Sequence, residues 1–177
     1  MALPLSPAGL WRRVAALLVD GLALSVLGFA LLSLSVVVIG PSVRIELDGR
    51  SAPDVEIVEW RLLLDATLVA AMSASYFVAF WTLRSASPGQ AVFGIAVTDR
   101  NSSPLTPRRA LLRWALLGAP FGVIAEAAID VPLVFLIMFG LSVAWVGVLL
   151  VTTRLSASGR GLHDRLSGTS VVRKARV

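Results

Sequence analysis

Few side chains in this sequence can carry chemistry, and most of them are carboxylates set in apolar surroundings. Arg13 and Asp20 stand at the head of an apolar run that ends near Ile39. Two helical turns separate them, so they share a face roughly 10 Å apart along the axis. Ala16 and Ala23 continue that stripe, and small residues let a second helix approach closely. An aspartate inside such a run costs roughly 2.5–3.5 kcal/mol on insertion scales and must face protein, water or a cation. Two roles follow for Asp20: an ion pair with Arg13 or Arg113, or a carboxylate that binds a proton or cation. Asp65 lies four residues after Arg61, at the outer end of a second apolar run. It reads as half of an i,i+4 pair or as an outer relay to Asp20. Glu126 and Asp130, in the middle of the last apolar region, read as solvated loop charges. His163 and Asp164 are adjacent, yet neighbours in sequence do not usually orient one another, and no serine or cysteine motif accompanies them. A turn fixed by Asp164 pairing with an arginine is expected there rather than a catalytic triad.

The chain that must position these groups has 177 residues, 56% of them hydrophobic. That exceeds the roughly 45–50% usual for a soluble domain, and it reads as an integral membrane protein. There is no cysteine and a single histidine, which excludes disulfides, thiolate nucleophiles and Cys/His zinc sites. No metal, cofactor or enzymatic activity is expected. The formal net charge of +5 comes without a nucleic-acid recognition motif, and its placement between apolar runs explains it better.

Four transmembrane helices are expected, near 14–39, 61–83, 110–128 and 131–153. The apolar run from Val14 to Ile39 is too long for a signal-peptide h-region, carries Asp20 and shows no clear cleavage site. Residues 41–60 alternate apolar and charged, with Asp48-Gly49 as a turn signal for a small hairpin. Trp60 and Trp81 bracket the second run, where interfacial belts place tryptophan. The region 110–153 is about twice the roughly 20 residues that one crossing needs. It crosses twice, or holds a re-entrant third segment in a three-crossing alternative. Arginines gather before residue 14, in 84–113 and in 154–177, whereas carboxylates prevail in 41–61. The positive-inside rule then puts both termini in the cytoplasm. The expected fold is an all-α membrane protein, a four-transmembrane-helix bundle with small extramembrane β-hairpins.

Two consequences concern the inner face. Ile95–Thr98 and Thr169–Val172 are short β-branched segments beside glycine-containing turns, and both should lie inside, paired as a two- or three-stranded sheet. Arg13, Asp20, Arg113 and Asp164 should gather as one neutral polar cluster, with Arg109 and His163 at its rim, because like numbers of buried charges limit the cost of burial. The basic tail (Arg160, Arg165, Arg173, Lys174, Arg176) fits attraction to anionic lipid headgroups.

Arg13-x-x-Ala16-x-x-x-Asp20 at the start of the first helix, with Gly161-Leu162-His163-Asp164-Arg165-Leu166-Ser167-Gly168-Thr169 after the last, resembles the RDD family of bacterial membrane proteins. The likeness extends through Pro88-Gly89-Gln90, Phe93-Gly94-Ile95-x-Val97, Pro104-Leu105-Thr106 and Arg109-Ala110-x-x-x-Arg113. Gln90 stands where the family commonly has lysine. The resemblance places the family's name-giving residues on Arg13, Asp20 and Asp164. It implies a multi-pass protein of the bacterial inner membrane, with a role tied to transport, most concretely cation/proton exchange by a homo-oligomer. The competing expectation is a non-catalytic accessory or regulatory protein that binds a partner membrane protein or anionic lipid.

Overall fold

The computed structural model describes residues 6–46, 54–127 and 132–173. The chain is mostly helical, with two small strand pairs. Helix α1 (Leu10–Ile39) takes in Trp11-Arg12-Arg13 ahead of the apolar run and stops at Gly40 (φ 105°), whose N–H bonds the Val36 carbonyl. Strands β1 (Val43–Glu46) and β2 (Asp54–Ile57) pair antiparallel, Val43 opposite Ile57. The Asp48-Gly49 turn between them lies outside the described residues. Helix α2 (Glu59–Arg84) follows, then a one-turn helix α3 (Pro88–Val92) and strand β3 (Ile95–Asp99). Helices α4 (Pro107–Ala127) and α5 (Pro132–Leu155) precede a second one-turn helix, α6 (Leu162–Leu166), and strand β4 (Thr169–Arg173). Asp130 and the Glu126 side chain lie outside the description, as do Lys174 and Arg176.

Helices α1 and α2 are long and apolar enough to cross a membrane. At about 1.5 Å per residue, their 30 and 26 residues exceed a hydrocarbon core of about 30 Å. The outward faces fit that setting: Phe29 is 76% exposed and Val37 82%, a costly display in water and an ordinary one in lipid. Helix α5 is apolar along its 24 residues, with Arg154 in its last turn.

The expected sheet is present. β3 and β4 pair antiparallel, with Val97 opposite Val171 and Asp99 opposite Thr169. Residues 6–8 extend it along β4: the Ala8 N–H donates to the Val171 carbonyl and the Arg173 N–H to that of Ser6. Ile95, Val97 and Val171 are fully buried beneath Ala16, Trp81 and Ala110, so the compact core of the molecule sits at this end. A short helix and a glycine in the left-handed region precede each strand, Gly94 (φ 62°) before β3 and Gly168 (φ 68°) before β4. The polar Ser87-Pro88-Gly89-Gln90 stretch opens the helical turn α3. Ser87 caps α3, and Gln90 returns its side chain to the Ser87 N–H, a capping box with proline at the first helical position.

Helix α2 packs mainly on α4, and α4 on α5, whereas α1 touches α3 far more than it touches α2 or α5. The first helix is thus held chiefly by α3, and near its middle Gly28 is buried against Met72 of α2. A cavity of about 750 Å³ runs between α1, α2, α4 and α5, walled largely by apolar residues such as Leu17, Leu32, Val69, Phe77, Leu117 and Val146.

Candidate functional site

Three polar knots lie along this cavity. The largest surrounds Asp164, which is 0% exposed. Its Oδ1 takes the Arg113 Nη1, and its Oδ2 accepts from Arg13 Nη1 at 2.8 Å and from the Gly161 N–H at 3.2 Å. The α6 turn holds the carboxylate in place because this last bond ties the Asp164 side chain to the helix start. Arg13 also bonds the carbonyls of Ala8 (3.1 Å), Gly159 (2.6 Å) and Val171 (3.3 Å), joining α1 to the sheet and to the turn before α6. Arg113 donates to Thr169 Oγ1 at 2.6 Å and lies 5.3 Å from the Trp81 ring centroid, a cation–π distance. His163 Nε2 is 3.3 Å from Asp164 Oδ1.

Burial alone would raise the Asp164 pKa, but Arg113, His163 and Arg13 together hold it well below the usual carboxylate range. Burial, then the Arg113 charge, lowers His163 to about 4 despite the opposing pull of Asp164. At neutral pH the knot therefore holds two guanidiniums, one carboxylate and a neutral imidazole.

Asp20 is not in it. The expected cluster of Arg13, Asp20, Arg113 and Asp164 contains only three of its four members, and Arg113 pairs with Asp164 instead of Asp20. The cause is α3. Asp20 Oδ1 accepts from the Gly89 N–H (2.8 Å) and from the Tyr76 hydroxyl (2.9 Å), and Ser87 Oγ bonds Oδ2. These neutral donors supply at the start of α3 what an arginine would have supplied. Gly89 makes the approach fit: a Cβ there would collide with the Ala16 carbonyl and lie 2.9 Å from Asp20 Cγ. Tyr76, Ser87, Gly89 and Gln90 were not expected at a site. Ser87-Pro88-Gly89-Gln90 carried the signal, since a capping serine three residues before glutamine with proline between marks a helix start.

The third knot lies at the hairpin end. Arg61 Nη2 is 3.3 Å from Asp65 Oδ1 and 2.9 Å from Ser35 Oγ, Ser35 Oγ donates to Asp65 at 3.0 Å, and Arg61 Nε bonds the Gly40 carbonyl at 3.1 Å. Asp65 thus belongs to the i,i+4 pair. Arg109, expected at the rim of the cluster, turns away to Asp99 at 3.3 Å and is half exposed. Among the described residues no group of three or more His, Asp or Glu side chains could hold a metal ion.

A family model described as the RDD family matches residues 7–168. No curated protein and no solved structure matches the chain.

Proposed function

Because this chain belongs to the RDD family, as a membrane protein domain of that family, we propose that it is a non-catalytic accessory or regulatory protein of the bacterial inner membrane, one that binds anionic lipid or a partner membrane protein. In this reading it crosses four times, through α1, α2, α4 and α5, with both termini in the cytoplasm and the β3–β4 sheet on the inner face. The arginines of residues 84–113 and 154–177 favour that orientation.

The observation that carries the reading is the state of the intramembrane carboxylates along the cavity. Cation/proton exchange needs a carboxylate free to trade a proton for a cation, and a wet path to it. Asp65 is engaged by Arg61 and Ser35, and both oxygens of Asp20 are engaged by α3 and Tyr76. Between them run side chains such as Leu17, Val69, Phe77 and Leu117, which offer a hydrated ion nothing.

One observation favours exchange as the second reading: Asp20 makes no ion pair among the described residues, and hydroxyl oxygens beside a carboxylate are hard ligands suited to a small cation. Purified protein in sealed proteoliposomes separates the two. No sodium- or lithium-driven proton movement is expected across a range of pH. Movement that disappears in Asp20→Asn would establish exchange.

A further inference from the structure

The sheet end of the cavity combines two features that neither the packing nor the pairing above uses up. The first is charge. Arg13 and Arg113 share one carboxylate, Asp164. Asp20 faces the same cavity, but its oxygens are taken by Tyr76, Ser87 and Gly89, and it pairs with neither guanidinium. Arg113 is 4% exposed, lines the cavity, and its Nε has no hydrogen-bond partner. A buried guanidinium N–H without an acceptor is costly, and an anionic oxygen is the partner that best relieves it.

The second feature is shape. From Trp81 the apolar wall follows α2 back to Asp65, sixteen residues of helix or roughly 24 Å. A volume of about 750 Å³ lies within the roughly 300–1,000 Å³ of sites that enclose small ligands. Water in so apolar a space would find few partners.

We propose that this cavity is a binding site for an anionic glycerophospholipid, its phosphate against Arg113 and an acyl chain along Phe77, Val69 and Leu117. This rests on the reading of the protein as a binding rather than a transporting one. It differs from attraction of the basic tail to a membrane surface, because the site is inside the bundle and discriminates by a single guanidinium.

The test is lipid retention by the full-length protein. Delipidated protein in neutral detergent would be titrated with phosphatidylglycerol, phosphatidylcholine and a long-chain fatty acid, with bound lipid counted by native mass spectrometry. One phosphatidylglycerol per chain should bind about tenfold more tightly than phosphatidylcholine, whose phosphate can make the same bond but whose choline cation is repelled by the net positive charge of Arg13, Arg113 and Asp164. Arg113→Gln should erase that preference. Gly118→Phe, placed where an added Cβ meets only Trp114 at 3.7 Å or more, should weaken both phospholipids while leaving Arg113 and the fold intact. Equal affinity for the two phospholipids would overturn the proposal. So would a preference that survives Arg113→Gln in folded protein, unchanged binding in Gly118→Phe, or a fatty acid that binds as well as phosphatidylglycerol. Proton flux measured on the same preparation keeps the two ideas apart. Flux beside selective lipid binding refutes the accessory role alone, and absence of both refutes the lipid site alone.

Discussion

Asp164 is the residue on which the sheet end converges, and its removal should be the most damaging single change. Asp164→Asn leaves Arg13 and Arg113 buried without their counter-ion, a loss of about 3–5 kcal/mol for a broken buried pair. In Arg113→Gln with Asp164→Asn, part of that loss should return, with a coupling of about 0.5–3 kcal/mol. Thermal melts of the detergent-solubilised single and double variants measure it, and strict additivity would dissolve the pair. His163 sets a different dependence. Its folded-state pKa of about 4 lies below the ordinary histidine value of 6.5, so the unfolded chain takes up the proton first. The stability it contributes is complete above pH 6.5 and drains as pH falls towards 4, by about 1–3 kcal/mol at about 1.4 kcal/mol per unit. Asp164, held low, adds loss of the same sign only below about pH 4. Melting temperature should therefore fall between pH 7 and 4 in the wild type, and His163→Gln should flatten that interval while keeping the steeper fall beneath it.

Element by element, long apolar runs and the charge steps between them are visible because the membrane imposes length and periodicity on them. The β3–β4 pairing was equally legible, since two β-branched stretches beside glycine turns on one side of the bundle have few other partners. α3 was not. At five residues it is too short for periodicity, and its evidence is local: Ser87, Pro88 and Gln90 around a single turn. Missing α3 also misassigned Asp20, whose partners come from that turn rather than from an arginine. Gly89 gives the direct check. Gly89→Ala pushes a methyl into the Ala16 carbonyl and Asp20 and should cost about 1–3 kcal/mol, the range for overpacking. Gly118→Ala, which meets only ordinary contacts with Trp114, should change the melting temperature little. Equal effects would mean that α3 is not pressed onto α1.

For the whole molecule, the proposed four crossings put the hairpin outside and the sheet inside. A reporter inserted at residues 48–50 should be exported, and one fused after Val177 should remain in the cytoplasm; an exported C-terminal fusion would require an odd number of crossings. Compactness is uneven along the membrane normal: the core lies beneath the sheet, and beyond it α1 borders the cavity. Arg13 illustrates what that architecture asks of biosynthesis. Its partners Asp164 and Val171 follow it by 151 and 158 residues. At a translation rate of about 5–20 residues per second, the first helix waits roughly 8–30 s before they leave the ribosome. Until then the guanidinium lacks its native carboxylate, and whatever inserts the nascent chain must shelter a helix whose native anchorage has not yet been made.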